Sequence, residues 1–176
     1  FWSQPPQLPE DDILWDIQEA GQALLGEHGY RQYETSAYAQ PGRQARHNLN
    51  YWTFGDFLGI GAGAHAKLSH ADGRILRSWK TRLPKDYLDP AKAFRAGEKQ
   101  LTADELPFEF LMNVLRLTDG VPAVLFTQRT GLSLDAIAKP RRDAEARGLL
   151  SNDPDRLVAT PKGQLFLNDL LQSFLP

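Results

Sequence analysis

Apolar residues recur at helical spacing over residues 11–25. Ile13, Leu14, Ile17, Ala20, Leu24 and Leu25 fall three to four apart, which predicts a helix opening after Glu10. Asp11 and Asp12 stand where unpaired N–H groups and the helix dipole favour acid. Gly26 and Gly29 bracket its end. Residues 30–36 (YRQYETS) then read as a strand. Residues 12–36 thus form one helix-then-strand unit, the repeating element of an α/β sheet or barrel. One such unit cannot close a sheet. Before it, FWSQPPQLPEDD holds Pro5, Pro6 and Pro9 and lacks an initiator methionine. It reads as an extended lead-in, cut from a longer chain.

The periodicity breaks over residues 37–50, which contain Pro41-Gly42 and read as a loop. RHNLNYW, residues 46–52, closes that stretch. It is too polar for a core strand and too aromatic for a solvated linker. Residue types leave two readings: a surface that something binds, or a corner pinned by Asn and His hydrogen bonds with Tyr51 and Trp52 buried. DFLGIGAGAHAKL follows from Asp56, and Leu58 and Ile60 point to a buried strand. Gly59, Gly61 and Ala64 formally match the dinucleotide fingerprint, but that motif needs a helix after its glycines. Here the chain soon reaches Asp72-Gly73, a hairpin-turn pair flanked by AHAKLSH and RILRSWK. Gly61 and Gly63 are better read as points of close approach, for backbone or ligand, at a strand end. Pro84 fits the first turn of a short helix, PKDYL. Residues 91–100 read as irregular or a short helix.

The last eighty residues are helical in pattern. Thr102 and Glu105 have capping-box spacing. Phe108, Leu111, Met112 and Leu115 line the helix that follows, stopping near Asp119-Gly120. A second helix opens at Pro122 and ends near Gly131. Ser133 caps a third, and residues 141–147 form a fourth. Leu149-Leu150 and residues 156–159 flank the turn SNDPD as a small hairpin. Thr160-Pro161 opens a last helix with Leu165, Phe166, Leu170, Leu171 and Phe174 as its apolar set. Helix, turn, helix and two-stranded wing outline a winged-helix-like domain over residues 98–176.

Charge bears on whether that domain reads DNA. The chain carries -2 net charge with pI ≈ 6.1. From Glu98 onward there are nine Lys+Arg against eleven Asp+Glu. Lys139, Arg141, Arg142 and Arg147 alternate with Asp143 and Glu145. No basic footprint results, so nucleic acid is not an expected partner. Cysteine is absent, which excludes disulfides, thiolate nucleophiles and Cys-ligated clusters within this chain. With no apolar run of membrane-spanning length, a cytoplasmic protein is the simplest expectation.

Two motifs carry a resemblance. His47, Asn48, Tyr51 and Trp52 match the signature H-N-x-x-Y-W, and residues 59–65 match G-x-G-A-G-A-H. Residues 33–68 resemble the C-terminal half of the radical-SAM domain in the oxygen-independent coproporphyrinogen III oxidase-like family, heme chaperones among them. The tail, from FEFLMNVLRLTDGV to TPKGQLFLNDLLQSFL, is similar to that family's C-terminal domain. The resemblance implies an α/β fold, with residues 1–97 as the C-terminal part of a partial TIM-like barrel. It implies heme as ligand, and heme-acceptor proteins, including membrane-associated ones, as partners. It also implies S-adenosylmethionine and a 4Fe-4S cluster in full-length members, and a missing N-terminal half of the barrel as a further partner. The family's C-x3-C-x2-C motif has no counterpart here. The enzyme alternative within the family decarboxylates porphyrinogen propionates.

On that reading His47 is the expected iron ligand, since neutral imidazole ligates heme iron. Tyr51 is a second ligand or a propionate partner, Trp52 a stacking surface, and Asn48 a group that orients the imidazole. Arg43 and Arg46 pair with propionates. His65, with Gly61 and Gly63, lies at a strand end facing the ligand side, either as a contact or as a satisfied barrel-mouth histidine. His28 and His70 are ordinary surface residues. With no thiolate available, reconstitution with iron and sulfide is expected to leave this chain without a cluster and without SAM cleavage. Stoichiometric cluster absorbance would overturn that.

Overall fold

The computed structural model describes residues 3–175, so residues 1 and 2 of the expected lead-in lie outside the described ones. The chain divides into two compact units, Phe1–Gln44 and Ala45–Pro176. The expected boundary between residues 97 and 98 therefore falls inside the second unit.

In the first unit, α1 (Asp11–Glu27) forms where periodicity predicts it, with Asp11 and Asp12 in its first turn. None of its residues is fully buried, and Ile13, Leu14, Ile17 and Leu24 are exposed. β1 (Arg31–Glu34) does not lead into a parallel sheet. It turns back at once into β2 (Ala37–Ala39), antiparallel, with Gln32 opposite Tyr38. The turn is held by the Ser36 N–H donating to Glu34 Oε1 at 3.1 Å. β2 thus occupies the beginning of the expected loop.

The second unit opens with α2 (Arg46–Trp52). RHNLNYW is a helix rather than a loop, because Leu49 and Trp52, three apart, both pack on the core. β3 (His65–Ser69) and β4 (Ile75–Lys80) are the hairpin expected around Asp72-Gly73, in the register His65↔Trp79 and Lys67↔Arg77. The expected buried strand through Leu58 and Ile60 is absent. Those side chains are 72% and 87% exposed, and only Phe57 bridges to Lys67. Gly61 and Gly63, at φ 106° and 69°, turn the chain away from extended structure there. After α3 (Pro84–Tyr87), residues expected to be irregular form β5 (Arg95–Gln100), an edge strand paired with β4. Its polar sequence hides the strand, since little of it faces a core.

α4 (Leu106–Val114) follows, with Glu105 reaching back to accept from the Thr102 N–H at 3.1 Å, as the capping box requires. It ends earlier than expected. It buries Leu106, Phe110, Leu111 and Val114, and Leu115 follows them, whereas Met112 is exposed. β6 (Val121–Pro122) and α5 (Val124–Thr130) come next, closed by Gly131 at φ 73°. Ser133 caps a 3-10 turn, Leu134–Ile137, that runs directly into α6 (Ala138–Ala146). The two expected helices are therefore one continuous element. β7 (Arg156–Leu157) pairs with β6 rather than only with its expected partner, and Leu150 bridges to Ala159. Thr160 caps α7 (Pro161–Leu165), and the last helix breaks at Phe166 before α8 (Leu167–Gln172). Leu165 and Phe166 consequently face solvent, whereas Leu170, Leu171 and Phe174 are buried.

One core joins these elements. Phe54, Ile75 and Leu101 from the first part of the unit pack with the buried residues of α4, α5 and α8. Phe54, Phe110 and Phe126 meet edge to face, with centroids 5.5 and 5.4 Å apart. Phe54 reaches that position with φ 57°, a left-handed conformation rare for a bulky residue. Lys67 holds it there. Its side chain is 1% exposed, and Nζ donates to Phe54 O at 3.1 Å, Asp56 Oδ1 at 2.8 Å and Ser69 Oγ at 3.3 Å. Nζ also lies 4.2 Å from the Phe54 ring centroid.

Burial alone would raise the Asp56 carboxyl, but hydrogen bonds from Lys67 and Ser69 outweigh it and hold the group below its usual 3.8. Asp56→Ala leaves a buried ammonium unpaired and should cost about 2–4 kcal/mol in urea unfolding. Lys67→Met leaves Asp56 reachable by water and should cost less, about 1–2 kcal/mol, chiefly from the unpaired Phe54 carbonyl. The reverse order would show that the unpaired ammonium is not the costly state and that Asp56 is not its main compensation. A depressed carboxylate contributes stability that is full above pH 3.8 and is lost as pH falls through its lower folded value. The wild type should therefore lose more stability than Asp56→Asn on acidification through that window.

Candidate functional site

α2 sorts its side chains onto two sides. Leu49 and Trp52 face the core. His47 and Tyr51, four apart, face outward, their rings edge to face at 4.6 Å. Tyr51 also meets Phe57, at 4.3 Å. The Arg77 guanidinium lies 5.9 Å from the Phe57 ring and pairs with Glu109 of α4 at 2.6 Å. His47 is exposed and Tyr51 half-buried. The result is an imidazole at the open end of an aromatic row.

The other residues of the motif have different surroundings. Trp52 is half-buried, and the Arg116 guanidinium covers its ring at 4.3 Å. Its Nε1 is buried and has no hydrogen-bond partner among the described residues. Asn50 Nδ2 donates to Asp56 O at 2.8 Å and so pins the turn after the helix. Of the corner reading of RHNLNYW, the Asn50 hydrogen bond and the core contact of Trp52 are present, whereas Tyr51 is only half-buried. Arg46 is exposed at the first residue of α2. Arg43 is exposed in the other unit, its N–H donating to Gln40 O at 2.9 Å. Asn48 is half-buried next to His47.

The glycine loop leads to a second group. Gly61 N–H donates to Tyr87 Oη at 3.3 Å, and Gly63 N–H to Thr81 O at 2.9 Å. His65 opens β3 opposite Trp79, with ring centroids 6.5 Å apart. Pleat alternation sets His65 and Trp79 on the same sheet face as Lys67 and Arg77. A cleft of about 430 Å³ is lined here by Ala62, Gly63, His65, Trp79, Lys80 and Arg82. His47 and His65 accordingly belong to separate clusters.

Phe57, Trp79, Lys80, Arg82 and Arg116 carry no motif and escaped sequence reasoning. The hairpin did hold a signal for one of them. Counting outward from a two-residue Asp72-Gly73 turn comes within one residue of it: that count puts Lys80 opposite His65, whereas the observed register, centred on Asp72, puts Trp79 there. Among the described residues no three His, Cys, Asp or Glu side chains converge as a metal site. Heme needs none, because the porphyrin supplies four donors and the protein one or two. A cysteine-ligated cluster does not fit the residues present.

Residues 101–166 match the family described as the HemN C-terminal domain. Over 175 residues, 99% of this chain, the sequence is 50% identical to the heme chaperone HemW of Escherichia coli (strain K12), covering 46% of that protein. It is 47% identical to the heme chaperone HemW of Haemophilus influenzae over 99% of this chain and 45% of the relative. For the heme chaperone HemW of Bacillus subtilis (strain 168) the identity is 30%, over 97% of this chain and 44% of the relative. The chain spans slightly under half the length of the curated relatives it matches. A solved structure of coproporphyrinogen III oxidase (HemN) from Escherichia coli, described as a radical SAM enzyme, superposes with a TM-score of 0.66 at 18% identity. It covers 95% of this chain and 42% of that one. The resemblance read from the two motifs therefore extends along the chain, and the α/β fold is shared with that structure.

Gly97 on β5 positions Trp79. A Cβ there would meet the indole at 2.2 Å. Gly97→Ala should displace the ring and cost about 1–3 kcal/mol as overpacking. A shifted tryptophan emission together with a lower urea midpoint is the expected result. An unchanged midpoint and spectrum would show that Gly97 does not position the ring.

Proposed function

We propose that this chain binds heme and hands it to acceptor proteins, as part of a heme chaperone of the HemW kind. The observation that carries the reading is the division of α2. Leu49 and Trp52 fix the helix to the core, while His47 and Tyr51 stand together on its outer side. An exposed imidazole beside an aromatic wall is suited to a heme iron, and an exposed site is suited to release. Tyr51 and Phe57 provide apolar surface for the ring, and Trp52 backs them from the core side. Arg46 is the cation this unit offers to a propionate, and Arg43 is a propionate partner on the other unit, taken by itself. Asn48 orients His47. His65, with Gly61 and Gly63, is a second contact region.

Further parts of the reading go with the relatives. Residues 1–97 are the last part of a radical-SAM barrel, and the apolar face of α1 is covered by the rest of that barrel. S-adenosylmethionine and a 4Fe-4S cluster belong there, because this chain has no thiolate. Residues 98–176 form a winged-helix-like module that does not bind nucleic acid, given its acidic balance. The protein works in the cytoplasm, and its acceptors include membrane-associated proteins. No helix among the described residues is long and apolar enough to cross a membrane. The alternative, a porphyrinogen dehydrogenase, is favoured only by the shared fold.

Heme titration of the wild type, His47→Ala and His65→Ala, with folding checked by circular dichroism, tests the ligand. His47→Ala should shift the Soret band and weaken binding about tenfold, roughly 1.4 kcal/mol. An unchanged spectrum in folded His47→Ala, with a clear loss in His65→Ala, would move the ligand to the glycine loop.

A further inference from the structure

The cleft at the end of the β3–β4 hairpin has chemistry that iron ligation does not use. Lys80, Arg82 and His65 line it together with Trp79, Ala62 and Gly63, and no Asp or Glu is among them. Nearby cations are already neutralised. Arg95, opposite Lys80 in the sheet, pairs with Glu98 at 2.6 Å, and Lys92 pairs with Asp86 at 2.7 Å. Lys80 and Arg82 form no ion pair among the described residues.

The backbone has the same bias. The N–H groups of Gly61, Gly63 and Ala64 are taken up within the fold, by Tyr87 Oη, Thr81 O and Gly61 O. The Ala62 N–H, on the cleft, makes no hydrogen bond among the described residues. Beside these donors the Trp79 indole lies across Gly97, held flat by the missing Cβ, and remains 37% exposed. Uncompensated cations next to a fixed indole favour an anion that is also flat and apolar.

We propose that this cleft is a carboxylate subsite for a tetrapyrrole. Lys80 and Arg82 take the acid side chains, the Ala62 N–H donates to the same oxygens, and Trp79 supports the ring edge. The assignment rests on the reading that the chain binds heme, and it is separate from the iron ligand. It needs no metal in the ring, which makes it testable apart from His47.

Metal-free protoporphyrin IX and its dimethyl ester, which lacks the negative charges, are titrated into the wild type, Lys80→Gln/Arg82→Gln and His47→Ala. Both cations are at the surface, so the double variant should fold, as circular dichroism checks. The wild type should bind the acid about tenfold more tightly than the ester, as two charge-assisted but solvent-screened bonds imply. The double variant should bind acid and ester alike, and His47→Ala should keep the preference. A preference that survives in the double variant, or is absent from the wild type, overturns the subsite. If that happens while heme still gives a His47-dependent Soret band, the heme reading stands and only the subsite fails. If neither heme nor porphyrin binds, both fail. ATP displacing porphyrin at equal concentration would assign the cleft to phosphate and overturn the carboxylate assignment.

Discussion

A buried ammonium organises the second unit. Lys67 has lost its water, and an unpaired cation in that position would be strongly destabilising. Its compensation comes from Asp56, the Phe54 carbonyl, Ser69 and the Phe54 ring. Asp56 and Phe54, which supply three of those four groups, belong to the turn after α2, and Ser69 belongs to β3. Satisfying one charge therefore fixes how the helix hands over to the hairpin. It also explains why Phe54 tolerates a positive φ, since its carbonyl must point at Nζ while its ring reaches Phe110. Such strain persists where surrounding contacts over-determine it.

The outer side of α2 depends on that anchor. A seven-residue helix is too short to be stable by itself. Leu49, Trp52 and the Asn50–Asp56 hydrogen bond hold it from the core side and the C-terminal end. His47 and Tyr51 can then stay at the surface without contributing to the core. The imidazole of His47 thereby stays accessible on a rigid base. The hairpin supplies a comparable platform at its far end, where the close approach of Gly97 holds Trp79 beside His65.

Much was legible in the sequence because local rules govern it. The periodicity of α1, the Asp72-Gly73 turn, the Thr102–Glu105 capping box, the Ser133 and Thr160 caps and the Gly131 stop each depend on a few neighbouring residues. The two motifs likewise carried the resemblance without any coordinates. Absence of cysteine decided that no thiolate chemistry resides in these residues.

Tertiary structure decided the rest. RHNLNYW became a helix because Leu49 and Trp52 found a core contributed largely by residues beyond position 100, which local polarity could not announce. Residues 95–100 became a strand because β4 offered an edge, and pairing depends on the partner more than on the strand's own composition. Lys67 reads as a polar position on a hairpin. It is buried because Asp56 and Phe54 fold over it, a contact eleven to thirteen residues away in sequence. Sequence by itself determined which chemical groups are present and the short-range signals that start and stop elements. Which of those groups face solvent and which face the core was left to packing, because burial depends on neighbours distant along the chain.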